Sequence, residues 1–353
     1  MRARREGREG SRLAQAGTKG DRPARVDWFL VGMAVAVCAA FALPDPGARG
    51  GALHPEVVNK VGVAIVFFLH GLLLPFASLK AGLVRWPLHA LVQGTTFVVF
   101  PALGALLFLL GGDRVAPELG VGVVFLCALP STVSSCVALT AVAHGNIAAA
   151  VLNATLSSVL GIFLTPLWLG AIAGSTGQGP SVGTVIADLA RLLLLPLAVG
   201  QLARPVLGEI AQRHRARVSV VDRGTILLLV YTSFSDSVKA GVWDRYGAAP
   251  VLVASGVAVC LLVGGIGFAS LASRLLRLPV EDRIAAVFCG STKSLAAGVP
   301  MAQVLFGAHP GLGLILLPIL LYHALQLFVG GSLAARWAMR SDRSSPTPPR
   351  GSA

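Results

Sequence analysis

Charge is what this sequence has least of. Asp, Glu, Lys and Arg together make up 13% of its 353 residues, about half of the roughly 25% found in a water-soluble domain. So little charge cannot cover a surface in water. A wholly soluble protein is therefore excluded, and lipid is the expected solvent for most of the chain. Recognisable catalytic patterns are also missing. There is no GxSxG, HExxH or Walker loop and no His/Asp/Asp cluster, so neither an enzyme nor a self-contained ATP-driven pump is expected, and no cofactor or metal site. The five cysteines (Cys38, Cys127, Cys136, Cys260, Cys289) lie in apolar runs without CxxC or Cys/His spacing. They are expected to be small buried apolar side chains rather than a disulfide frame. The first 25 residues are polar and Arg-rich; without an apolar core, no cleavable signal peptide is expected.

What is abundant is apolar sequence: 55% of the residues are hydrophobic. A helix crossing a bilayer needs about 20 mostly apolar residues. Ten segments qualify: 27–44, 59–76, 88–110, 119–143, 146–172, 183–203, 222–240, 250–272, 284–306 and 312–335. Residues 1–26 and 339–353 read as disordered tails. The expected fold is an all-α membrane domain over 27–338.

The net charge of +13 is placed as a topology signal. With the N-terminus in the cytoplasm, 22 Lys and Arg fall in the two tails and the even-numbered loops, including the basic loop 204–223, against five on the other side. That bias is the positive-inside pattern and requires an even number of spans. Both termini are then expected to be cytoplasmic, in the cell membrane. Basic residues distributed this way face anionic headgroups, not a nucleic acid.

Two spans repeat an unusual feature. Span four holds Leu129-Pro130-Ser131-Thr132-Val133-Ser134-Ser135-Cys136, and span nine holds Cys289-Gly290-Ser291-Thr292-Lys293-Ser294, followed by Gly298-Val299-Pro300. Both are small, hydroxyl-rich and broken by Pro or Gly. They lie five spans apart, so two five-span halves (27–173 and 183–338) would be inverted. Matched broken helices in inverted repeats mark a substrate site at mid-membrane. The alternative is a pair of Pro-kinked helices whose hydroxyls bond their own carbonyls.

Lys293 lies about ten residues from either end of its span, beyond easy snorkelling, where an unpaired Lys costs at least about 3 kcal/mol. It is expected to hold an anionic substrate group, serve as a resident cation or exchange a proton; the structural alternative is a pair with Asp188 or Asp236. Asp236 reads as a gate or proton-coupling residue, or as the partner of Lys239 three residues on. His323 and Gln326 share a helix face, and Asn153 lies deep in span five. Asn146 reads as a turn or cap. The candidate substrate residues are Lys293, Ser291, Thr292, Ser294, Ser131, Thr132, Ser134, Ser135, Asn153, His323 and Gln326. His70, Gln93, Thr95 and Thr96 are weaker.

Several pieces together resemble the bile acid:sodium symporter superfamily, in the branch represented in animals by sodium/bile acid cotransporter seven. They are Phe68-Leu69-His70-Gly71-Leu72, Leu79-Lys80-Ala81-Gly82-Leu83, the span-four stretch, Gly145-Asn146-Ile147-Ala148-Ala149-Ala150, Phe163-Leu164-Thr165-Pro166, Tyr231-Thr232-Ser233-Phe234-Ser235-Asp236, Phe288 to Leu295 and Leu321-Tyr322-His323. The resemblance implies ten spans, inverted five-helix repeats and crossing broken helices four and nine. It also implies a core of spans three to five and eight to ten, moving against a panel of spans one, two, six and seven. The sodium-binding pattern is not kept. A Ser-Asn pair of the sodium-coupled members falls on Ser135 and Cys136, their span-five hydroxyls on Ala150 and Ala154, and their span-nine carboxylate at or beside Lys293. The usual sodium sites are therefore expected to be absent. The expected function is a secondary transporter of a small, anionic organic solute. The alternative is a transporter-fold membrane regulator of calcium or ion homeostasis, since the branch is linked to calcium homeostasis. Expected partners are a small-molecule or ion substrate and the lipid bilayer; a homo-oligomer stays open.

Overall fold

In a computed structural model, residues 28–73, 85–112, 115–175 and 190–344 are described. They form helices and short connections, with no strand among them. Eight helices are long and apolar enough to cross a membrane, and a bent pair raises the number to nine. The helices are α1 (Trp28–Ala42), α2 (Pro55–Leu73), α3 (Trp86–Gly111), α4 (Pro117–Ala128), α5 (Val133–Val142), α6 (Ile147–Ser175), α7 (Leu195–Arg213), α8 (Arg215–Lys239), α9 (Val242–Tyr246), α10 (Ala249–Leu275), α11 (Val280–Ser291), α12 (Leu295–Phe306) and α13 (Leu312–Ser344). The bent pair is α4–α5, with 57° between the halves. The tail 1–26, Lys80, Asp188 and residues 183–189 of the sixth expected span lie outside the described residues.

Three expectations need correction. The basic segment 204–223 is not a loop. It is the end of α7 and the start of α8, interrupted only at His214. Charge ended the hydropathic run there, but it did not end the helix. The last helix likewise continues past 339, to Ser344. Cys38 and Cys260 are exposed on the outside of the bundle, whereas Cys127, Cys136 and Cys289 are buried; all five are free. An apolar exterior suits the first two, because the surrounding solvent is lipid.

Packing divides the helices into two groups. α2 lies along α7, α1 along α8, and α8 also packs on α2. In the other group α4 lies against α3 and α13, and α11 against α10, α5 and α6. The α2–α7 contact is backbone to backbone. A Cβ added at Gly71 would stand 2.1 Å from the Leu197 carbonyl oxygen, and one at Gly200 would stand 2.1 Å from that of Phe68. Only glycine permits this approach, as at many helix pairs in lipid. The two groups meet where α2 and α8 face α12 and where α8 packs on α13.

The ends of the second group are tied by polar contacts. Buried Asp282, at the start of α11, is ion-paired with Arg85 and accepts a 2.7 Å bond from the Asn146 amide. The Asn146 side-chain oxygen in turn accepts from the Ala149 N–H at 3.0 Å and caps α6.

Candidate functional site

The site is best built from carbonyl groups that lost their helical partners. In an α-helix each carbonyl accepts from the N–H four residues on. Pro101 has no N–H, so Phe97 and its neighbours need other donors. The backbone answers with a π-turn over Thr95–Val99, in which the Phe100 N–H reaches the Thr95 carbonyl. The Phe97 carbonyl takes the indole N–H of Trp168 at 2.8 Å. That leaves the Thr96 carbonyl, whose donor five residues on would again be Pro101. It is met by the ammonium of Lys293 at 3.0 Å.

Pro130 does the same to α4. The chain turns extended at Leu129 (φ −68°, ψ 150°) and remains so at Thr132 (φ −86°, ψ 134°). The carbonyls from Leu126 to Pro130 are then accounted for one by one. Leu126 accepts from the Leu129 N–H at 3.3 Å. Ala128 accepts from the Thr165 hydroxyl at 2.8 Å. Pro130 accepts from the Ser294 N–H at 2.8 Å. Cys127 and Leu129 both accept from Lys293, at 2.7 and 2.8 Å. The Ser131 N–H, which would have served Cys127 in a continuous helix, donates instead to the Ser157 hydroxyl at 2.9 Å.

Lys293 is thus fully buried on three main-chain carbonyls, with the Phe100 ring centroid 4.4 Å from its nitrogen. Three acceptors match the three N–H donors of an ammonium; a neutral amine would leave one carbonyl unanswered. Two of the carbonyls end a helix, where the dipole is negative. Hydrogen bonds to charged groups contribute about 1.5–3 kcal/mol each. Three of them offset the roughly 3 kcal/mol cost of a mid-membrane Lys, and the ring adds a cation–π term. No carboxylate takes part among the described residues, so a pair with Asp236 is not formed.

The second break is held as firmly. Thr292 and Ser294 are extended (ψ 148° and 107°). The Gln326 amide accepts from the Lys293 N–H at 2.8 Å and donates to the Lys293 carbonyl at 3.0 Å, as a neighbouring strand would. Gln326 also donates to His323 at 2.9 Å, and Tyr322 donates to the Ser291 carbonyl at 2.5 Å. The Ser294 hydroxyl accepts from the Ala297 N–H and caps α12. The breaks touch directly: the Ser131 and Thr292 hydroxyls are hydrogen-bonded at 2.9 Å.

The remaining candidates separate. Ser291 bonds the Val287 carbonyl of its own helix. Thr132, Ser134 and Ser294 line a cavity of about 260 Å³ that also takes in His70, Arg215, Asp222 and Arg223. Ser135 does not line it. Asn153 is fully buried and bonds His89 and Gln93 of α3, away from the breaks. Asp236 lines a second cavity, of about 420 Å³, at the opposite end of the same α2–α8–α12 seam, with Arg49, Glu56, Asn59 and Gln303. Its partner is Arg49, whose N–H reaches it at 2.7 Å, and not Lys239, which pairs with Asp45. Arg49 also donates to the Gly307 carbonyl, so it joins α8 to the end of α12. Between the cavities Gln303 donates to Ser233 at 2.7 Å and Thr232 donates to Asn59 at 2.9 Å. Reading from side chains missed Arg49, Gln303, Arg215 and the carbonyl acceptors around Lys293. Only Pro101 and Pro130, each removing an N–H, signalled the freed carbonyls.

Residues 27–339 match the SBF-like CPA transporter family. The chain is 41% identical over 319 residues to the Pseudomonas aeruginosa protein PA2026, itself uncharacterized, covering 90% of this chain and 94% of that one. It is 34% identical over 314 residues to sodium/bile acid cotransporter 7 of Mus musculus (88% and 92%) and 32% over 312 residues to that of Danio rerio (88% and 93%). With its many apolar helices and a match over nearly its whole length, this chain is a multi-pass membrane protein that belongs to the SBF-like CPA transporter family, on the bile acid:sodium symporter branch.

Proposed function

We propose that the protein is a secondary transporter of a small anionic organic solute, with Lys293 as a built-in cation in place of a coupling sodium ion. The observation that carries this reading is the ammonium on three freed carbonyls. Main-chain carbonyls of a broken helix are the groups that bind sodium in carriers of this architecture. Here a protein-borne charge already satisfies them. With no exposure and all three protons used, Lys293 is not available to hold a solute anion. That task falls to the Arg215 end of the seam, where hydroxyls of both breaks share a cavity with Arg215 and Arg223, and where the carboxylate of Asp222 is met by His70.

The architecture proposed is ten spans in two inverted five-helix repeats, 27–173 and 183–338, with the broken helices crossing. The eight long helices, the bent pair and the shorter apolar α1 support that number. The direct bonds between the breaks support the crossing. The helix groups built on α1, α2, α7 and α8 and on α3–α6 and α10–α13 are read as panel and core. Asp236 with Arg49 is read as a gate at one end of their seam. Both termini are placed in the cytoplasm of the cell, with the Arg215 cavity on that side.

The test is uptake by proteoliposomes across a panel of organic anions, with sodium replaced by choline at fixed ionic strength. At least one anion is expected to be taken up at an unchanged rate. A clear sodium requirement would overturn the role given to Lys293, and no uptake of any anion would overturn the solute class.

A further inference from the structure

A third cavity lies away from the seam, between α5, α10, α11 and α13. Its volume is about 410 Å³. Arg274, Arg283, Glu281, His144, Ser270 and Trp337 stand in its wall. Its position is set by α10, an apolar helix of 27 residues whose last turn carries Arg274. Leu271 and Leu275 beside it are exposed apolar side chains, as is Val280 at the start of α11. The cavity therefore opens where lipid-facing surface gives way to charge, at the depth of the headgroups. An indole at that depth, here Trp337, is the usual interfacial anchor.

Among the described residues the charges in this wall are unanswered. Neither Arg274, Arg283 nor Glu281 makes an ion pair with any described residue. Yet Asp282, next in sequence to Glu281, is buried in an ion pair with Arg85 and bonded to Asn146. Two guanidiniums and one carboxylate lining one cavity without meeting each other suit a ligand that carries both signs. Guanidinium forks match phosphate oxygens. A carboxylate matches an ammonium that keeps its N–H donors. Basic pockets between membrane helices at this depth bind phospholipid headgroups.

We propose that this cavity binds a membrane phospholipid carrying a phosphate and a primary ammonium, with Arg274 and Arg283 on the phosphate, Glu281 on the ammonium and the acyl chains along α10. The site is separate from the transport seam, so it stands whether or not the transported solute is an anion.

The experiment is native mass spectrometry of delipidated, detergent-purified protein titrated with phosphatidylethanolamine, phosphatidylglycerol or phosphatidylcholine of the same acyl composition, with inorganic phosphate and phosphoethanolamine as headgroup-only arms. Phosphatidylethanolamine is expected to be retained about tenfold more than phosphatidylcholine, whose quaternary ammonium has no N–H. The double variant R274Q/R283Q should lose this retention, and E281Q should lose the preference while still binding. Thermal unfolding without lipid should be the same in all three proteins, because these side chains hold no described partner. Equal retention of the three lipids, or retention unchanged in R274Q/R283Q, would overturn the proposal. Binding of phosphate alone, undiminished by lipid, would assign the cavity to a free anion and overturn it as well.

Discussion

Lys293 stands at a place where no carboxylate among the described residues meets it, and its neighbours answer its three N–H donors without one. The Thr96 and Cys127 carbonyls have lost their helical donors to Pro101 and to a bond that the Ser131 N–H makes elsewhere, and the Leu129 carbonyl lies where the chain turns extended past the end of α4. The side chain therefore holds two breaks and α3 together through a single nitrogen. Lys293→Ala would leave three buried acceptors unsatisfied, at about 1–3 kcal/mol each. It would also open a space lined by carbonyl oxygens and the Phe100 ring, which is a coordination shell for a monovalent cation. We expect the variant to melt well below the parent protein in choline chloride and to regain part of the loss in sodium, potassium or ammonium chloride. The parent should not distinguish these salts. Thermal unfolding of both proteins in matched detergent and ionic strength decides it. A variant equally unstable in every salt would mean the carbonyls collapse onto other donors.

At the scale of elements, the helix pairs differ in how little room they leave. α2 and α7 approach until a methyl group at Gly71 or Gly200 would overlap a backbone oxygen, 2.1 Å away, which no rotamer change relieves. Gly256 of α10, by contrast, faces open space. Gly71→Ala or Gly200→Ala should therefore cost at least the ~1–3 kcal/mol typical of overpacking, while Gly256→Ala should be neutral or stabilising by up to ~1 kcal/mol. Melting curves of the three variants give the order, and a small effect at Gly200 would mean the helices are free to separate. The same element scale explains what could be read beforehand. Hydropathy exposed most of the helices, and the Pro and Gly of spans four and nine exposed both breaks, because those signals are written in side chains. The π-turn at Thr95–Val99 and the orphan Thr96 carbonyl are written in backbone geometry, so the side chains alone offer Lys293 only Asp188 and Asp236 as structural partners. Hydropathy alone starts α8 at 222 because charge stops a hydropathic run, although Arg215, Arg217 and Asp222 continue the helix. For Asp236 the sequence offers a gate or the neighbouring Lys239 as a partner, since nothing local points to Arg49, 187 residues away.

Across the whole molecule, the seam between the two helix groups holds one cavity at each end and a polar plug between them. Gln303, Ser233, Thr232 and Asn59 form the plug, and Arg49 straps α8 to the end of α12 over one mouth. A carrier must break one closure at a time, so the strap is the element whose loss should be felt at one end only. Arg49→Ala removes the bond to Gly307 and the side-chain half of the contact with Asp236, leaving the main-chain N–H in place. The bond from the charged guanidinium to the Gly307 carbonyl contributes about 1.5–3 kcal/mol and the half-exposed ion pair at 3.6 Å, screened by solvent, at most about 1 kcal/mol, enough to move an equilibrium by one to three orders of magnitude. With a cysteine placed at Val63, which lines the Arg49 cavity and is buried outside the plug, we expect labelling by a membrane-impermeant maleimide to rise at least tenfold when Arg49→Ala is added. A cysteine at Ser134, in the opposite cavity, should become less reactive as the seam opens away from it. If both positions become more reactive, the variant has loosened the bundle as a whole and Arg49 is a brace. If neither changes, the plug alone holds the seam shut. Opposite changes at the two ends are what a two-sided gate requires.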